Sequence, residues 1–287
     1  QIAAISDRYE KLQEIQKRKE TVTKTITDLG KMTPELEKRI HDCWDTTELE
    51  DIYLPYKPKR RTRAQVAREL GLEPLANILM IQRERDPERA AERFVKGDVK
   101  DADMALKGAQ DIIAETVSED ERSRQQLRNA FSRQAFITSK VVKSKAESDE
   151  AAKYSDYFDW EEPLKRCSSH RLLAMRRGES EGVLRISISP DDEEATERLK
   201  RHYVYGNTPC GQLVADAIED GYKRLLKPAI ETEFAALSKE KADEEAIHVF
   251  AENLRQLLLG APLGQKRVMV GPAGFIRSFR PGASGRT

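Results

Sequence analysis

Apolar residues recur at helical spacing along most of this chain. Ile5, Tyr9, Leu12, Ile15, Val22 and Ile26 can share one face of a helix running to about Leu29, with Lys, Arg and Glu elsewhere. Gly30 is placed to end it. Thr33 and Pro34 restart a helix: the threonine oxygen caps free amides, proline suits the first position, and Glu35 and Glu37 complement the positive end. Leu36 and Ile40 carry the apolar face toward Trp44. Thr46 or Thr47 then caps a short helix with Leu49, Ile52, Tyr53 and Tyr56 at i, i+3, i+4 and i+7.

Pro55 and Pro58 predict an extended interruption after it. Thr62 caps a helix over Arg63 to Leu70, Gly71 turns the chain, and Pro74 begins another helix to Met80. Asp86-Pro87 starts the next, with Ala90, Phe94 and Val95 inward. The pattern then predicts helices over Asp101–Val117 and over 121–139, the latter through Leu127, Phe131, Phe136 and Ile137. Residues 139–163 pass from basic to acidic, and Tyr154, Tyr157, Phe158 and Trp160 anchor them. A helix starts at Ser168-Ser169-His170, with Ser169 as its cap and Gly178 as its end. Residues 182–189 alternate as a strand. Pro190 ends it, and Asp191–Glu197 opens a helix. Long helices fill 210–260, broken or kinked at Pro228, with Phe234, Leu237, Val249, Phe250, Leu254, Leu257 and Leu258 filling a face. Arg267–Val270 reads as one more strand, and no periodicity follows it.

The predicted fold is therefore mainly α: a multi-helix domain over 1–262, with a helix-turn-helix-like element at 57–82 and a short strand element near 182–189. Residues 263–287 read as a linker and the truncated or divergent start of another domain. Charge adds one local feature. Lys+Arg and Asp+Glu are both 50 in 287 residues, so no global field draws the chain to nucleic acid. Yet Lys57, Lys59, Arg60, Arg61 and Arg63 crowd into seven residues. They can pair with successive phosphates, with amides of the following helix start adding donors. The alternative is a solvated loop paired with Glu48, Glu50 or Asp51. Lys140, Lys143 and Lys145 form a second basic cluster with the same two readings.

Ala64–Met80 raises a related choice. A second helix that reads a major groove needs donors for base edges, and Glu73, Asn77, Gln82 and Arg83 are a thin set, so a structural helix pair is the other reading. The aromatics at 154–160 sit among Asp156, Asp159, Glu161 and Glu162, which favours packing over base stacking. Cys167-x-x-His170 is half of a zinc spacing without its second half, and His170 reads as a packed side chain. No metal, cofactor, small-molecule substrate or catalytic residue is expected, and no phosphate-loop or dinucleotide motif is present. Three scattered cysteines suggest a reducing setting. No apolar run reaches the length of a membrane span. Gln1 falls inside a helical pattern, so the sequence is expected to begin partway through a longer protein.

LEDIYLPYKPKRRTRAQVARELGLEPLA at 49–76 closely resembles the N-terminal region of the Tex family of bacterial transcription accessory proteins. KMTPELEKRI (31–40), KVVKSK (140–145), YSDYFDWEEPL (154–164), SSHRLLAMRRGESEGVLRI (168–186) and RVMV (267–270) resemble family segments in the expected order. The resemblance implies a cytoplasmic, nucleic-acid-associated protein with an N-terminal helical region. An RNase H-like (YqgF-type) domain, helix-hairpin-helix units and a C-terminal OB-type RNA-binding domain would follow. At the RNase H-like start the family has a motif like GLDPG, whereas this chain has Val270-Gly271-Pro272-Ala273-Gly274 without the acid. The sequence is thus expected to depart from the family near Val270. The function expected is a non-catalytic, nucleic-acid-associated module with weak electrostatic binding of RNA or DNA, with the transcription machinery as a further partner. A protein-interaction scaffold is the alternative, and a nuclease role would rest on the neighbouring domain alone.

Overall fold

α7 (Ala102–Glu119) is the element around which the larger core is built; α4 (Arg63–Glu69), α5 (Glu73–Ile81), α6 (Pro87–Glu92) and α12 (Pro209–Gly221) all pack on it. Its inward face is made small enough for that. Ala105, Ala109 and Ala114 are fully buried. A Cβ at Gly108 would run into Leu72 and Ala67, and one at Gly221 would come within 3.0 Å of the Ala114 carbonyl oxygen. Both crossings depend on missing side-chain volume, as close packing requires. The computed structural model describes residues 2–260 and divides the chain into units of Gln1–Asp243 and Glu244–Thr287.

In the first unit, α1 (Ile2–Asp28), α2 (Pro34–Asp42) and α3 (Thr46–Tyr53) close a separate small core. Ile15, Val22, Ile26, Leu36, Ile40, Leu49 and Ile52 are buried there, whereas Ile5 and Tyr9 of the same stripe are exposed. Thr33 and Thr62 cap their helices through Leu36 N and Gln65 N. The cap of α3 is Asp45, not Thr46 or Thr47; its carboxylate accepts from Glu48 N at 2.8 Å.

The strands depart most from expectation. α8 (Glu121–Gln134) stops at Ala135, which is extended, and Phe136–Val141 is β1 rather than more helix. α9 (Asp149–Ala152) lies between β1 and β2 (Asp159–Pro163). α10 (Ser169–Ser180) leads to β3 (Leu184–Ser189). β1 is the centre of an antiparallel sheet ordered β2-β1-β3, with Ser139 opposite Trp160 and Ile186. Alternation puts Ile137 and Ser139 in the core while Lys140 is exposed. α10 runs past Gly178, and its N-cap is Ser168 rather than Ser169. A Cβ at Gly178 would meet Leu184 and Tyr154, so that glycine serves packing and does not end the helix.

After α11 (Asp192–Tyr203) and α12, the chain makes a π turn at Tyr222–Leu226 and continues as α13 (Lys227–Leu258). Pro228 has no N–H for an α-helical bond, and the wider turn just before it absorbs that loss. Val214, Ile218, Tyr222, Leu226 and Ile230 are completely buried along this path.

The second unit is described from Glu244 to Gly260. Ile247, Phe250, Leu257 and Leu258 are all more than two-thirds exposed, so the predicted apolar face is present but unfilled among the described residues. The expected strand Arg267–Val270 and the expected domain start lie outside the described residues.

Candidate nucleic-acid interface

The basic run joins the turn Leu54–Tyr56 to α4. Its five cations are not equivalent. The Lys59 ammonium pairs with Glu119 and lies 3.9 Å from Glu115, both on α7. Arg61 Nη2 donates to Glu69 Oε2 at 2.8 Å. Lys57 and Arg60 are exposed and carry no ion pair among the described residues. Arg63 is exposed at the first turn of α4, beside Lys107 and a depression lined by Asp111, Asp216 and Asp220. Two of the three partners suggested by sequence are occupied elsewhere, and the third, Glu48, carries no ion pair among the described residues. Glu50 holds Arg18 at 2.5 Å, and Asp51 holds Arg124 and Arg128.

This geometry divides the run into cations that fix the loop to the fold and cations left facing solvent. Lys59 belongs to the first group, and Arg61 is partly engaged by an exposed carboxylate. Lys57, Arg60 and Arg63 form the second. Burial pushes the Glu119 carboxyl above its ordinary range even though Lys59 pulls it down. Burial likewise raises Asp111 against the pull of Arg224 and Arg63. α4 has only seven residues, and Thr62 already takes the Gln65 amide at 3.0 Å, so its start adds little to anion binding.

The second cluster lies on other elements. Lys140 is on the exposed sheet face, in register with Asp159 and Arg185. Lys143 is exposed, and Lys145 Nζ donates to the Glu181 carbonyl at 3.1 Å. No hydrogen bond or ion pair links this cluster to Lys57–Arg63 among the described residues.

α4 and α5 do form a helix, a turn at Gly71 (φ +78°) and a helix. However, α5 buries Leu75, Ala76 and Leu79. Gln82 ends α5 in the left-handed region, φ 55°, where its amide holds Tyr203 O and accepts from Tyr205 N at 2.9 Å. That commitment removes Gln82 from the thin set of base-reading donors. Glu73 and Asn77 stay exposed on the pair.

His170 is exposed rather than packed, with Nε2 3.4 Å from Ser168 Oγ. The nearby Cys167 thiol is pushed up to about 12 by burial and by Glu162, so it stays protonated at neutral pH. Among the described residues no group of three or more His, Cys, Asp or Glu side chains can hold a metal ion. No described helix is long and apolar enough to cross a membrane. The carboxylates that decide the character of the basic run, Glu69, Glu115 and Glu119, escaped the sequence reading. Only Glu69 is near in sequence, and periodicity gives no register between a loop and a helix sixty residues away.

Comparison with known proteins places these features in a family. Residues 82–250 match the Tex central region-like family. The chain is 39% identical over 286 residues to Uncharacterized protein YdcI of Bacillus subtilis, covering 98% of this chain and 39% of that protein. It is 38% identical over 271 residues to Transcriptional accessory protein Tex of Neisseria gonorrhoeae, covering 92% and 36%. It is 28% identical over 281 residues to S1 RNA-binding domain-containing protein 1 of Homo sapiens, covering 92% and 28%. The chain thus spans less than two-fifths of the length of the curated relatives it matches.

Proposed function

The chain belongs to the Tex family, and from that premise we propose that it is a non-catalytic, nucleic-acid-associated module of a cytoplasmic transcription accessory protein. Weak electrostatic contact with RNA or DNA is made at Lys57, Arg60 and Arg63. The observation that carries this reading is the unequal neutralisation of the basic run: Lys57 and Arg60 face solvent without an ion pair while Lys59 is held against α7. The name of the gonococcal relative, a transcriptional accessory protein, and that of the human relative, an S1 RNA-binding domain-containing protein, support the same setting.

The test is binding of single-stranded RNA and duplex DNA as a function of salt. Replacing Lys57, Arg60 and Arg63 together by Ala is expected to flatten the log–log salt dependence by up to about 0.7 per lost contact for a single strand and about 0.9 for B-DNA. An unchanged slope in the triple variant sinks the reading. A protein-contact scaffold is the second reading. It is favoured by the solvent-exposed apolar face of α13 at Ile247, Phe250, Leu257 and Leu258.

A further inference from the structure

Trp44 lies between α2 and α3 with well-buried neighbours. Cys43 is 5% exposed and Leu49 fully buried, whereas Trp44 is 48% exposed. The Lys19 ammonium stands 3.6 Å from the centroid of its ring and donates to the His41 carbonyl at 2.7 Å. One face of the indole is therefore already used as a cation acceptor, and the rest of the ring looks outward.

The ring lines a depression of about 500 Å³ with Asp42, Asp45 and Glu48. Asp45 and Glu48 also line an adjoining groove of about 740 Å³, which extends to Phe234 and the half-exposed Leu237 of α13. Several charges here are satisfied internally. Arg39 Nη2 donates to both Glu121 carboxylate oxygens, at 2.6 and 2.9 Å, and Arg128 is held by Asp51 and Glu233. Asp42 meets only the exposed His41, at 3.1 Å, and Glu48 has no ion pair among the described residues. Asp45 uses one oxygen to cap α3. Lys38 and Arg122 line the same surface without ion pairs among the described residues, so the groove left to a ligand is weakly acidic with an aromatic platform.

We infer that this groove receives a Lys- or Arg-bearing segment of a partner protein. The incoming cation covers the outward side of Trp44 within the field of Asp42, Asp45 and Glu48, and a neighbouring apolar side chain rests on Phe234 and Leu237. The pairing repeats between molecules what Lys19 does within the chain. It suits the aromatic anchors typical of protein contacts, and it disfavours nucleic acid, whose phosphates would meet the carboxylates. The surface is separate from the Lys57–Arg63 edge and stands whether or not that edge binds phosphate.

Trp160 is the only other tryptophan in the sequence, so Trp160→Phe makes Trp44 the sole indole reporter. The probe is a synthetic peptide alternating Arg and Leu, compared with a Glu/Leu peptide and with oligo-dT. The Arg/Leu peptide is expected to change Trp44 emission saturably. Trp44→Ala, read by anisotropy of labelled peptide, is expected to weaken binding about tenfold. Asp42→Asn with Glu48→Gln keeps the ring, weakens binding at low salt and flattens its salt dependence, and decides the matter should Trp44→Ala fail to fold. Equal affinity in Trp44→Ala, unchanged affinity in the Asp42/Glu48 variant, or the same emission change with Glu/Leu peptide or oligo-dT overturns the proposal.

Discussion

Arg128 and Lys59 each face two carboxylates, Asp51 and Glu233 in one case and Glu115 and Glu119 in the other, but their surroundings differ. The Arg128 side chain is 10% exposed and joins α3, α8 and α13; Arg124 completes the group by holding Asp51 at 2.6 Å. Lys59 is 27% exposed and fixes a loop to the side of α7. Arg128 is pushed above its usual range: burial acts against the charge, and the hydrogen bonds it donates to Asp51 and Glu233 outweigh it. At Glu119 burial wins over Lys59. An ion pair is therefore not a unit of stability. One pair more than offsets its desolvation through several convergent hydrogen bonds, and the other does not.

The comparison breaks first at Asp51. Asp51→Ala leaves two arginines without their shared acceptor and is expected to destabilise the fold by about 3–5 kcal/mol, read by urea unfolding. A loss below about 1 kcal/mol would mean the hub is no different from a surface pair.

Asp192 tests the same logic at intermediate exposure. Burial tends to raise its carboxyl, but hydrogen bonds from Lys227 (2.6 and 2.8 Å) and Tyr222 (2.6 Å) hold it below the ordinary range. A lowered carboxylate contributes stability that is present above its unfolded pKa and lost as pH falls through the folded one. Asp192→Asn is expected to cost about 1 kcal/mol near neutrality, after allowance for solvent screening. The difference from the parent should vanish at acid pH; a pH-independent difference contradicts the linkage.

Glu119→Gln should have the smallest effect on stability, and of opposite sign. A raised carboxyl favours the fold below its unfolded pKa, and that contribution is lost as pH rises through the folded value. Removing its charge should leave stability unchanged or raise it by less than about 1 kcal/mol at neutral pH, with the difference shrinking in acid. The same change leaves Lys59 with only Glu115, 3.9 Å away, so it is expected to steepen the salt dependence of nucleic-acid binding by less than one contact. Lys59→Ala in the parent, by contrast, should alter that slope less than Arg60→Ala. Equal effects would show that the division of the basic run is wrong.

Local chemistry was legible at some helix ends and not at others, since Asp45 and Ser168 cap where Thr46 or Thr47 and Ser169 were expected. Thr33 and Thr62 cap as expected and Asp86 starts its helix, while Asp101, expected inside its helix, is the cap; Gly30 and Gly71 take positive φ at helix ends. The mainly α fold followed from the same periodicity. β1 was lost because Leu127 and Phe131 continue smoothly into Phe136 and Ile137, although Ile137, Thr138, Val141 and Val142 carry the β-branched signal. Amphipathicity found the apolar face of α13 but cannot say whether anything fills it. Likewise the sequence counts five cations between Lys57 and Arg63, while their partners depend on how α7 lies beside the loop.

The π turn at Tyr222–Leu226 keeps a repeat in phase. Val214, Ile218, Tyr222, Leu226 and Ile230 recur every fourth residue and are all inaccessible to solvent. On an unbroken α-helix a period of four drifts by about 40° per step, so the four steps from Val214 to Ile230 would carry the stripe nearly halfway round the rod. A turn closed by i→i+5 bonds winds more slowly per residue and rotates the stripe back. The extra residue acts as a phase corrector: winding the same residues as plain α-helix would advance everything downstream by about 100° and take Ile230 off the core while leaving every helix intact.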